Sequence, residues 1–219
     1  MALSKLNFNS LNLTPVAGKG IGFDSGADDL EASFSGNSMV FIKKLTASTS
    51  DDLSFVNGSS DVVLDNTYKE YLFIFKDIHP ATDGTEFTFQ GSVDTGSNYG
   101  VAITSTAFIA EKPEADSGGS LSYQTSRDLA QSTGFQHFGV DIGSDNDHCS
   151  SGYLHLFNPS STTFVKHFVG TLQQAHQNDL SLVLNVAGYF NTTSAIDAIQ
   201  FKMAANSIDA GDICLYGIL

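Results

Sequence analysis

Between Gly152 and Leu219 the chain carries a succession of apolar runs that suits a sheet and little else. Tyr153–Phe157, Phe164–Val169, Leu182–Phe190, Ile196–Met203 and Ile213–Ile218 are five to nine residues long, rich in Phe, Val, Ile and Tyr, and separated by turn formers such as Asn158-Pro159-Ser160. Runs of this length and make-up read as strands of a half-buried sheet, because successive side chains on a strand point to opposite faces. In 162–169 the alternation puts Phe164, Lys166 and Phe168 on one face and Val165, His167 and Val169 on the other.

The pattern begins further upstream, at Ser38. Met39–Leu45 and Leu53–Val56 read as strands, and Asn57-Gly58 is a hairpin signal ahead of Val62–Leu64. Tyr71–Ile78 is apolar on both sides, Leu72 and Ile74 opposing Phe73 and Phe75, which predicts a strand covered on both faces. Phe87–Val93 and Val101–Ala110 follow. Pro113, Gly118-Gly119 and the Ser, Thr and Asp content of Glu111–Asp147 predict long loops with one or two short strands, and Gln173–Asn178 one helical turn. About ten to twelve strands in one chain must pair across two layers, so the expected fold is all-β, an antiparallel β-sandwich of jelly-roll type. Its 219 residues suffice for one such domain, placed at 38–219.

Residues 1–37 differ. Leu3, Leu6, Phe8, Leu11 and Leu13 alternate with Ser and Asn, then come Pro15 and Gly18-Lys19-Gly20-Ile21-Gly22. This density of Ser, Asn and Gly opposes helix, and the alternation predicts an extended N-terminal arm whose five apolar side chains dock on a partner. Gly18–Gly22 lacks the strand before and helix after that a phosphate loop needs, so it reads as a linker.

Composition narrows function. The formal charge is −14, with 10 Lys and Arg against 24 Asp and Glu, and such a surface repels nucleic-acid backbones and anionic membranes. No basic stretch followed by an apolar run opens the sequence, which predicts no cleavable export signal, and no window has the length of a bilayer span. The two cysteines, Cys149 and Cys214, form no disulfide framework.

Several residue clusters invite chemistry and each has a plainer reading. Asp141, Asp145, Asn146 and Asp147 supply oxygen ligands of the kind Ca²⁺ takes, without the spacing of a helix–loop–helix calcium site; Asx residues also form turns. His155 and His167 fall on adjacent strands without a third ligand at zinc spacing. There is no Gly-x-Ser-x-Gly, and Glu86 and Asp197 are the nearest strand carboxylates for glycoside chemistry. Neither a cofactor motif nor a catalytic constellation emerges, so the expectation is a protein that is not an enzyme. Tyr99 and Tyr123 are the aromatics to examine for stacking on sugars. Asn191-Thr192-Thr193 matches a glycosylation acceptor, of no consequence without export.

Three blocks, Ser151–Phe168, Ala187–Thr193 with Ala195–Lys202, and the ending Ala210–Ile218 (Ala-Gly-Asp-Ile-Cys-Leu-Tyr-Gly-Ile), resemble virion structural proteins of tailed bacteriophages, particularly marine ones. The resemblance runs from about Met39 to Leu219 and brings no catalytic residues with it. It implies a fibre- or spike-type surface appendage, made in the host cytoplasm and carried on the virion, with the arm anchoring it to other virion proteins. The loops Asp94–Tyr99, Glu111–Ser126 and Asp141–Ser150 would then face host or solvent. A homotrimer or another symmetric homo-oligomer is expected, because it would bury strand edges. Two alternatives stand beside this: a capsid decoration protein, and, from another class, a carbohydrate-binding module or glycan depolymerase contacting host surface glycan.

Overall fold

The computed structural model describes residues 20–23, 30–34 and 38–219. The chain divides into two units, Met1–Ser38 and Met39–Leu219. In the first, β1 (Gly20–Phe23) pairs antiparallel with β2 (Leu30–Phe34), with a register shift between Gly20 and Gly22. The linker expected at Gly18–Gly22 is thus strand from Gly20 onward. The proposed arm contacts Leu3, Leu6, Phe8, Leu11 and Leu13 lie outside the described residues.

The second unit holds twelve strands and, among the described residues, no helix. The small sheet contains β4 (Leu53–Val56), β6 (Phe87–Ser92), β9 (Gln136–His137) and β13 (Ala198–Met203), in the order β4-β13-β6-β9. The large one contains β3 (Met39–Ser50), β5 (Glu70–Pro80), β7 (Ile103–Pro113), β8 (Ser120–Tyr123), β10 (Ser150–Phe157), β11 (Lys166–His176), β12 (Leu180–Phe190) and β14 (Ile208–Ile218). Its order is β3-β14-β5-β10-β11-β12-β7-β8.

These two orders are a jelly roll with two hairpins added. The first strand pairs with the last (β3 with β14), then β4 with β13, β5 with β10 and β6 with β9, as if one long ribbon had been rolled up. Rolling brings β14 against β5 and β13 against β6, which closes the two layers. The hairpins β7–β8 and β11–β12 both join the large sheet beyond β10, which is why it has eight strands and its partner four.

Phenylalanine fills the space between the layers. Phe201 of the small sheet meets Phe73 at 5.2 Å and Phe75 at 5.1 Å on the large one, and Phe89 meets Phe168 at 5.2 Å, mostly edge to face. Such rings are worth more than their buried area alone when so arranged. Where the large sheet outgrows the small one, segment 124–149 covers it. Gln174, fully buried on β11, accepts from the Val140 N–H at 2.9 Å and donates to its carbonyl, standing in for a neighbouring strand. Gln136, equally buried, accepts from Ser105 Oγ at 2.6 Å and donates to the Arg127 carbonyl at 2.8 Å. Without these bonds each amide would lie desolvated and unpaired.

Some local expectations change. Val62–Leu64 is not a strand: Asn57 Oδ1 accepts from the Leu64 N–H at 2.9 Å and holds 57–64 as a loop over the core, with Val62 and Leu64 buried. Gln173–His176 is the end of β11, not a helical turn, because it pairs residue for residue with Val183 back to Leu180 across the β11–β12 hairpin. Phe164 precedes the strand and is 68% exposed, while Lys166 goes inside with Phe168. The Lys166 ammonium donates to the Thr192 carbonyl at 3.0 Å, and burial lowers its pKa.

Candidate functional site

Alternation along strands gives the large sheet a second face, and that face carries a band of apolar and aromatic residues too. Register fixes what lies across it. One row runs Phe41, Tyr216, Leu72, His155, Val169 and Ala187, on six successive strands. The next runs Ile74, Tyr153, Thr171, Asn185, Phe108 and Tyr123. On the other side of the first, Phe157 and Tyr189 continue the aromatic surface. These side chains touch one another: Phe41 and Tyr216 at 5.5 Å, Tyr153 and His155 at 5.4 Å, His155 and Phe157 stacked at 6.0 Å, His167 and Tyr189 at 5.9 Å. Between Leu72, Ile74, Gly152, Tyr153 and His155 the face dips into an open trough of about 450 Å³.

Phe41 is 56%, Val169 47% and Tyr153 43% exposed, values at which an aromatic or β-branched side chain gains little by being where it is. Contiguous patches of this kind mark contact surfaces. The face is also nearly free of net charge. Its carboxylates, Glu70 and Asp212, both have partners: Glu70 bonds His155 Nδ1, and Asp212 accepts from Lys44 Nζ at 2.9 Å and Thr46 Oγ1 at 2.5 Å. The Thr46 and Lys44 bonds hold the Asp212 carboxyl below its ordinary range. Lys76 lies beside Asp212 in register.

The sequence reading of Tyr71–Ile78 as covered on both faces therefore needs correction. Tyr71, Phe73 and Phe75 are buried, but Leu72 and Ile74 are only partly so, because among the described residues of the second unit one layer covers the sheet and no second does. The signal for this face was in the sequence, in that double-sided apolar strand. What the strand faces on its outer side was not.

The other candidates are scattered. Asp141 Oδ2 lies 3.9 Å from Arg127 Nη2 and 3.8 Å from His176 Nε2, the Asp145 carbonyl is 3.3 Å from His79 Nε2, and Asp147 is exposed. Among the described residues no three His, Cys, Asp or Glu side chains converge as a metal site requires. His155 is opposite Val169 and His167 opposite Tyr189, so the two histidines share a face without being direct partners. Glu86 pairs with Arg127 at 2.6 Å, whereas Asp197 accepts the Thr95 N–H at 3.0 Å; they serve different loops. Tyr123 is 53% exposed and donates to Asp128 at 2.6 Å, but Tyr99 is partly buried with its hydroxyl enclosed, and burial raises its pKa. Cys149 and Cys214 are both free; burial, then the nearby Asp77, pushes the Cys149 thiol up, away from the reactive thiolate. Asn191 is exposed and donates to Gln131 Oε1 at 2.7 Å.

Comparison with protein-family models, with curated proteins and with solved structures finds no match to this chain.

Proposed function

We propose that this protein is a structural component of a tailed-bacteriophage particle, a fibre- or spike-type surface appendage anchored through residues 1–37. One observation carries the reading: the blocks that resemble phage virion proteins fall on β10 and the start of β11, the end of β12, β13 and β14. These are scaffold strands, and β14 is the strand that closes the roll against both β3 and β5. What the likeness shares is thus a way of building a rigid unit. A tightly packed sandwich with an acidic exterior and one apolar sheet face suits a part that must be soluble before assembly and must then be held by neighbours.

Deletion of 1–22 tests the anchor. The truncated protein is expected to fold, by circular dichroism, and to be missing from purified particles; its normal incorporation would overturn the anchoring role. Particles lacking the whole protein separate appendage from decoration protein: loss of adsorption with normal heat and osmotic resistance fits the first, the reverse pattern the second. Binding or cleavage of host polysaccharide by the isolated protein would favour the glycan reading, for which Tyr123 is the exposed aromatic.

A further inference from the structure

We propose that two copies of this chain associate face to face through the outer surface of the eight-stranded sheet, about a two-fold axis near Tyr153 and Val169. Four observations support this occupant. The first is the double-sided β5, whose Leu72 and Ile74 are apolar like the residues of a doubly covered strand yet are covered only in part. The second is charge. A chain of net −14 repels its own copies over most of its surface, but this face sets Lys44 and Lys76 against Glu70 and Asp212. Two such chains can meet there without adding to that repulsion.

The third is size. Eight strands at about 4.8 Å spacing and about three rows of outward residues make a face of roughly 700 Å², close to the roughly 800 Å² per partner of a standard stable interface. The fourth is symmetry: a sheet face that meets itself is self-complementary about a two-fold, with sheets at about 10 Å as within the sandwich. The edge-burying trimer is not needed to satisfy it. Pairing through this face is independent of whether the protein belongs to a virion, since it is read in solution and not in particles.

The test is sedimentation equilibrium of the full chain at micromolar concentrations, for the wild type, Val169→Asp, Tyr153→Ser and the control Val93→Ser, which is exposed at the end of β6 on the other layer. The wild type and Val93→Ser are expected to be dimers. Val169→Asp puts two carboxylates together across the axis and should weaken dimerisation at least about 100-fold, leaving a folded monomer. Should Val169→Asp not fold, Tyr153→Ser decides by the same readout. Added salt should tighten the dimer or leave it unchanged, since it screens the acidic remainder. A monomeric wild type, a monomer that binds soluble polysaccharide through Tyr153, or folded face variants that keep the dimer mass would each overturn the pairing. So would a dimer mass that is lost only when 1–37 is removed.

Discussion

The two faces of the large sheet are built by the same strands and differ by one residue of register. Inward, Phe73, Phe75, Leu154, Phe168 and Leu184 are at most 1% exposed and meet a second layer of phenylalanine. Outward, Leu72, Ile74, Tyr153, His155 and Val169 are nearly as apolar, and their burial ranges only from partial to exposed. Hydropathy alone does not separate these sets. What separates them is whether a further layer lies on top, and among the described residues of the second unit the small sheet and segment 124–149 cover one side only.

That contrast can be broken or sharpened by substitution. The largest effect is expected for Phe201→Ala, at the centre of the interlayer cluster. A cavity among Phe55, Phe73, Phe75 and Phe87 should lower stability by about 3–5 kcal/mol. Tyr153→Ala on the outer face should change the stability of the monomer by under about 0.5 kcal/mol. Urea unfolding at low protein concentration measures both, and similar losses would erase the distinction between the faces. Next comes Gln174→Ala, which strands the Val140 N–H and carbonyl away from water and should cost about 2–3 kcal/mol, with amide exchange at Val140 accelerated.

Lys166 is an exception within the inner face. Its folded-state pKa lies below the ordinary 10.5, so between the two values the unfolded chain holds more protons and stability rises with pH. Lys166→Met should remove that alkaline rise and add roughly 1 kcal/mol at neutral pH, since one carbonyl bond does not offset the burial of a charge. A destabilised methionine variant would show that the Thr192 bond outweighs desolvation. The smallest effect belongs to Asp212 outside. Its carboxyl is held below 3.8, so its contribution is present above that pH and is lost as pH falls through the folded value. Asp212→Asn should flatten the acid limb of an unfolding titration by less than about 1 kcal/mol.

Reading period-two patterns found nearly every strand of the second unit, and failed where side chains compete with the ladder. Asn57-Gly58 promised a hairpin, but the Asn57 side chain captures the Leu64 N–H and a loop results. Gln173–Asn178 reads as one helical turn, yet β12 is positioned to pair with Gln173–His176. Parity is sturdier than extent: alternation puts Lys166 on the Phe168 face and it is buried there, although Phe164, of the same parity, stands outside the strand. The candidate site was half legible. Its apolar outer residues were visible in Tyr71–Ile78, whereas the row joining Phe41 to Ala187 depends on β3, β14 and β5 being brought beside the consecutive β10, β11 and β12 from distant sequence. The oxygen cluster at 141–147 shows the reverse, since neighbours in sequence were sent to different partners.

By itself the sequence determined that this chain is a sheet protein in two layers, because alternation, turn residues and aromatic content act over a few residues at a time. It also determined the excess of negative charge. Only the tertiary structure decided which strands adjoin and where the added hairpins attach. From that followed which of the two sheet faces the second unit covers with its own second layer, for covering requires a layer brought from distant sequence, and local pattern carries no information on its supply.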